Sequence, residues 1–305
     1  MNWKRLGRIV EANPNLEWSQ QYAAIPTVRI LNEDVLRVYY YSMDEHFNGR
    51  ISFVDVSAHN PSEIIFRSDD VLLDIGTEGS FDDGGVCPLQ FLQHENENWL
   101  YYLGVQRTTD VPYRYFAGVA KEQADGSFQR FQANPVLLPT KSEPDIRSAV
   151  SILKDGEKMR MWYVGAFAWI DVNGKEVPTY RIHHAVSTDR LNWEVDQHDC
   201  IQFQNEDEFG FGRPWVMKTN FGFEMYYSVR TKSLGYRLGY ATSEDGYSWV
   251  RQDSEFNFSV GSESWENESV CYPCVVDVNG KRFMFYNGNQ NGKTGFGVAV
   301  LEDKQ

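Results

Sequence analysis

The chain has 305 residues, 42% hydrophobic and 15% aromatic, enough apolar material for one large all-β domain or two ordinary domains. Its formal net charge of −14 repels a phosphate backbone and argues against nucleic acid as a partner. No apolar run reaches the length of a membrane span, and Met1-Asn2-Trp3-Lys4-Arg5 lacks the apolar stretch of a secretion signal, so a cytoplasmic protein with no membrane partner is expected.

In chain order, the first element is the short run Asn2-Trp3-Lys4-Arg5, which reads like two later runs, Asn192-Trp193-Glu194-Val195 and Ser248-Trp249-Val250-Arg251. An apolar strand over 26–30 then leads to Val38-Tyr39-Tyr40-Tyr41-Ser42 and to a third strand over 50–56. The same order returns with 88–92, Leu100-Tyr101-Tyr102-Leu103-Gly104 and 115–120. It returns again with 149–153, Met161-Trp162-Tyr163-Val164-Gly165 and 180–187, and then with 214–217, Met225-Tyr226-Tyr227-Ser228 and 236–243. The last set is 273–276, Met284-Phe285-Tyr286-Asn287-Gly288 and 294–301.

The second aromatics fall at 41, 102, 163, 227 and 286, and five steps of about 61 residues consume the chain. Proline opens four of the five leading strands, where its missing donor costs least. A fourth strand follows a polar turn in the better-defined units, so each unit reads as a four-stranded meander. The fifth has only three strands before the chain ends. The expected fold is therefore all-β, a five-bladed β-propeller in a single domain over 1–305, its last blade closed by the N-terminal strand. A β-sandwich followed by a second β domain is the competing architecture, but it does not predict a uniform step.

In such a fold the site lies where loops leading into the inner strands meet the loops joining second and third strands. Counting back five from the inner-strand proline places Gln21, Asp83 and Glu268 at equivalent positions. Two carboxylates facing one channel are the minimum for glycoside hydrolysis, so Asp83 and Glu268 are the expected acid–base pair. Asp-Asp-Gly-Gly at 82–85 also reads as a tight turn. Glu143, Glu208 and Glu266 are the other acids nearby. Arg147 and Arg213 flank inner strands, where they either pair with a carboxylate or hold an anionic ligand. Tyr22, Tyr272 and one of His183-His184, here His184, are further candidates for contact with substrate, and Trp169 in the long loop 166–181 offers a ring for a sugar to stack on. Cys271-x-x-Cys274 lies in a strand-like run where an odd spacing sends the thiols to opposite faces. With no second pair, neither metal nor cofactor is expected.

The run Leu238-Gly239-Tyr240-Ala241-Thr242-Ser243-Glu244-Asp245-Gly246-Tyr247-Ser248-Trp249, echoed by Ala185-Val186-Ser187-Thr188-Asp189-Arg190-Leu191-Asn192-Trp193, resembles the five-bladed glycosidase superfamily of arabinanases, xylosidases, invertases, levansucrases and mannoside phosphorylases. The resemblance spans the chain and implies a glycoside hydrolase or phosphorylase with a small carbohydrate as partner. It departs at the acids. Ile25 precedes the first inner-strand proline, Arg147-Ser148 occupies the third inner strand, and Gly212 stands where the resemblance implies a glutamate. Positive residues at the expected mouth point to an anionic or phosphorylated sugar. A catalytically silent propeller binding sugars in surface-polysaccharide assembly is the alternative.

Overall fold

The computed structural model describes residues 1–196 and 198–302. Among the described residues, twenty strands pair almost entirely as antiparallel meanders. The first contains β2 (Gln21–Ile30), β3 (Val35–Met43), β4 (Gly49–Ser57) and β5 (Ile64–Arg67). The second contains β6 (Gly85–His94), β7 (Glu97–Gln106), β8 (Arg114–Glu122) and β9 (Phe128–Arg130). The third runs through β10 (Ile146–Asp155), β11 (Lys158–Val172), β12 (Lys175–Ser187) and β13 (Glu194–Asp196). The fourth runs through β14 (Glu208–Thr219), β15 (Gly222–Thr231), β16 (Gly235–Ser243) and β17 (Val250–Arg251). The last joins β18 (Cys271–Val278), β19 (Lys281–Asn287) and β20 (Phe296–Glu302) to β1 (Asn2–Val10), with Trp3 opposite Leu301.

The aromatic pair repeated in the sequence now has a physical reason. Neighbouring residues of a strand point to opposite faces, and both faces of each second strand are covered by other meanders. Tyr40 and Tyr41 accordingly belong to two different apolar clusters, as do Trp162 and Tyr163. Trp3, only 7% exposed, meets Tyr226 and Phe256 edge-on and fixes β1 to the core. The residues that carry the family resemblance form turns between third and fourth strands. Asp245 Oδ1 accepts from the Ser243 hydroxyl and the backbone of Tyr247 and Ser248, and Asp189 repeats the pattern with Ser187, Leu191 and Asn192.

The five leading strands lie against one another in a cycle, β2 on β6, β6 on β10, β10 on β14, β14 on β18, and β18 back on β2. Hydrogen-bonded pairing does not close in the same way. Brief parallel bridges link the first four meanders, and the last is a separate four-stranded sheet. Among the described residues the helices are two single turns, α1 (Asp253–Phe256) and α2 (Asn289–Gly292), and none is long and apolar enough to cross a membrane.

Candidate functional site

Each leading strand is interrupted by a bulge: Ile25, Ala149, Arg213 and Tyr272 fall within the register shift of their strands, whereas Cys87 stays paired with Leu103 just before the shift in its own. All five line one cavity of about 250 Å³ where the strands converge. Four of them hold positive φ: Ile25 at 54°, Ala149 at 52°, Arg213 at 38° and Tyr272 at 57°. Such a backbone costs about 1–3 kcal/mol per residue and persists only where its surroundings impose it. Neighbouring meanders supply that support. The Ile25 N–H donates to Asn287 Oδ1 at 2.9 Å and the Tyr272 N–H to Ser228 Oγ at 2.7 Å.

The cavity wall is phenolic. Tyr22, Tyr41, Tyr115, Tyr180, Tyr236 and Tyr272 face it, with Leu89, Ser148 and Asn291 among the rest. Burial raises the pKa of Tyr41, Tyr115, Tyr180, Tyr236 and Tyr272, so these side chains stay neutral and serve as donors, acceptors and stacking faces. Arg213 is 2% exposed and reaches across the strands. Its Nη1 donates to the Tyr272 carbonyl at 3.0 Å, and its Nη2 donates to the Pro26 carbonyl and Thr27 Oγ1, both at 2.7 Å. Its Nε has no partner among the described residues. Burial pushes its pKa down to about 10, which leaves it cationic at neutral pH. Close by, Arg230 is framed by the rings of Phe209, Tyr180 and Tyr236 at 4.6, 4.9 and 5.5 Å, and donates to the Pro178 carbonyl. Neither arginine meets a carboxylate among the described residues, and none of the cavity-lining residues is an aspartate or glutamate.

The acids of the lead-in loops are engaged elsewhere. In the second, third and fifth meanders the repeat tyrosine donates to a carboxylate twenty residues earlier. Tyr102 bonds Asp82 at 2.9 Å, Tyr163 bonds Glu143 at 3.0 Å, and Tyr286 bonds Glu266 at 2.8 Å. A guanidinium closes each clamp: Arg130 on Asp82 at 2.7 Å, Arg147 on Glu143 at 2.8 Å, and Arg5 on Glu266 at 2.9 Å. The fourth meander uses a variant, in which Arg251 bridges Glu208 and Asp253 while Tyr227 donates to Asp253 at 2.7 Å. The small residue after the aromatic pair makes room for this. A Cβ on Gly165 would lie 1.8 Å from Glu143 Oε1, and one on Gly104 only 2.7 Å from the Asp82 Cβ.

The residues expected from sequence therefore separate. Arg213, Tyr22 and Tyr272 line the cavity. Gln21, half-buried at the start of β2, lies opposite Met43. Asp83 is half-buried, takes the Gly79 N–H at 2.9 Å, and is not among the lining residues. Glu268 is exposed, with its backbone held by Asn289 and Arg237, and is likewise outside the lining. Arg147, expected to point into the channel, turns instead to Glu143 in the clamp, because the bulge sends Ser148 and Ala149 inward. His184 lies on β12 opposite Asp196 of β13, bound to that residue at 3.0 Å, and burial lowers its pKa. Trp169 donates to Asp145 at 3.0 Å and meets Tyr113 edge-on at 5.4 Å, one ring removed from the cavity-lining Tyr115. A bulge between Cys271 and Cys274 breaks simple alternation, and both are free, buried thiols. Sequence reasoning missed the cavity-lining Tyr41, Tyr115 and Tyr236. Tyr41 and Tyr236 were seen only as strand residues.

No family model matches the chain. Among solved structures, a glycosyl hydrolase from Bacteroides ovatus superposes with a TM-score of 0.73 at 14% identity, covering 100% of this chain and 94% of that one. A structure described as showing that the GH130 family of mannoside phosphorylases contains glycoside hydrolases targeting β-1,2 mannosidic linkages in Candida mannan gives 0.72 at 13%, with the same coverage. A thermostable family-43 glycoside hydrolase gives 0.67 at 17%, covering 97% and 94%. The fold is thus that of the propeller glycosidases. At the level of sequence, uncharacterized protein Rv1502 of Mycobacterium tuberculosis strain H37Rv is 32% identical over 303 residues, 99% of this chain and 100% of its own length. Uncharacterized protein MT1551 of strain CDC 1551 / Oshkosh matches equally. The chain belongs to the family of Rv1502.

Proposed function

We propose that the five meanders are five blades of one propeller domain spanning 1–305, and that its central cavity binds a carbohydrate carrying an anionic group without cleaving it by a carboxylate pair. The ring Ile25, Cys87, Ala149, Arg213 and Tyr272 carries this reading: every leading strand sends at least one residue to the cavity, and none of the lining residues is an acid. Two carboxylates flanking the scissile bond are what glycoside hydrolysis ordinarily needs. Here Asp82, Glu143, Glu208 and Glu266 are buried in clamps instead. What the cavity offers is Arg213, a guanidinium without a carboxylate partner among the described residues, and six phenols, with Arg230 packed against the lining rings of Tyr180 and Tyr236. That combination suits a carboxylate or phosphate on a sugar ring. Four free, buried thiols fit a reducing cytoplasmic setting.

The test is calorimetry with glucuronate, galacturonate and mannose 6-phosphate against their neutral parents, followed by product analysis. The charged sugars should bind at least about tenfold more tightly than the neutral ones. Arg230→Met should remove that advantage, since a charged hydrogen bond contributes about 1.5–3 kcal/mol. Equal affinity for charged and neutral sugars would sink the anionic reading. A second reading, turnover with Asp83 and Glu268 as acid and base, is favoured by the solved neighbours being named hydrolases. Product formation that disappears in Asp83→Asn would establish it over the first.

A further inference from the structure

The third meander departs from the clamp pattern in a way that leaves a second pocket. In the second, fourth and fifth meanders the clamping arginine comes from the fourth strand: Arg130 on β9, Arg251 on β17 and Arg5 on β1. In the third it comes from the leading strand, as Arg147 on β10. Both Tyr163 and Arg147 approach Oε2 of Glu143, so its other oxygen is left over. Glu143 is 6% exposed, and Oε1 has no hydrogen-bond partner among the described residues.

Two more polar atoms beside it are in the same condition. His183 Nδ1 lies 3.6 Å from Glu143 Oε1, and Arg181 Nη1 is buried, each without a partner. Asp199 stands on the other side, 3.4 Å from His183 Nε2 and 3.8 Å from Arg181 Nε. Ser142, Glu143, Phe167, Arg181, His183 and Asp199 enclose about 250 Å³, and none of them lines the central cavity. A buried carboxylate oxygen without a partner costs about 1–3 kcal/mol or more, so a pocket with three such atoms is built for something that satisfies them.

The local charges of Glu143 and Asp199 are balanced by Arg147 and Arg181, which selects a neutral occupant. Oε1 needs a donor and Nη1 needs an acceptor, a pairing that one hydroxyl or two adjacent hydroxyls provide. The Phe167 ring, 52% exposed at the lip, presents an apolar face to the C–H side of a sugar. We propose that this pocket on the third meander is a separate subsite for a neutral pyranose.

The experiment is ligand-observed NMR titration of the full chain with the methyl glycosides of mannose, galactose and glucose. At least one should bind. Glu143→Gln, which keeps the Tyr163 bond, and Arg181→Met should each weaken it about tenfold or more. Phe167→Ala, at an exposed position, should weaken it too, and Arg230→Met, beside the central cavity, should leave it unchanged. The proposal is overturned if none of the three probes binds. It is equally overturned if binding survives both Arg181→Met and Phe167→Ala, or is lost in Arg230→Met. These outcomes leave the central cavity's preference for charged sugars as a separate result.

Discussion

In three of the clamps the buried carboxylate meets a phenol and a guanidinium, and in the fourth Arg251 joins Glu208 to the Asp253 that takes the phenol. In the central cavity the buried Arg213 guanidinium meets backbone carbonyls and the Thr27 hydroxyl, and no carboxylate among the described residues. The two regions are built from the same residue types and lie on the same strands. They differ in which partner is left out, and that omission separates a structural element from a binding one. An arginine that closes a clamp completes a network, whereas Arg230 has positive charge to offer. The first meander marks the boundary between the two. Twenty residues before Tyr41 stands Gln21 instead of an acid, so Tyr41 has no clamp to serve and faces the cavity.

The largest expected effect falls on the clamps. Arg251→Ala strands Glu208 and Asp253, and breaking a buried pair from one side costs about 3–5 kcal/mol. Arg230→Met should cost far less stability, and the difference is read from urea denaturation midpoints. Equal losses would erase the distinction between the two kinds of arginine. Gly165→Ala is next. Its methyl would displace the Glu143 carboxylate, and overpacking of this kind costs about 1–3 kcal/mol. Calorimetric unfolding of that variant should show the loss, with affinity for charged sugars in the central cavity retained.

The smallest effect concerns Asp44, on the β3–β4 hairpin of the clampless first meander. Burial would raise its pKa, but hydrogen bonds from Arg50, Asn48 and the His46 N–H outweigh that and hold it at about 2. The folded value lies below the unfolded value of about 3.9, so the stabilisation is full above roughly pH 5 and fades as pH falls toward 2. Denaturation curves of the native chain and Asp44→Asn should therefore differ at pH 7 and converge near pH 2. A gap independent of pH would assign the hairpin's stability to something other than the charge.

Much of the strand layout was legible because it is written as periodicity. The aromatics at 41, 102, 163, 227 and 286 lie on β3, β7, β11, β15 and β19, and Asn2-Trp3-Lys4-Arg5 lies on β1 beside β20. The clamps left a signal that counting from proline passed over. The interval of twenty between tyrosine and acid, with glycine two places after the tyrosine, picks out Asp82, Glu143 and Glu266. Counting from proline lands instead on Asp83 and Glu268, one and two residues away. Neighbouring loop acids look alike in sequence, and which one turns inward depends on an arginine as distant as Arg5 is from Glu266.

By itself, then, the amino-acid order determined the strand count per unit, the recurring aromatic pairs on the second strands and the use of the N-terminus as a partner for the last strand, because alternation and turn chemistry act over a few residues. Only the tertiary structure decided which charged groups pair and which stand open. A side chain's orientation at a bulge, and the burial that makes a missing partner costly, arise only when strands far apart in the chain converge.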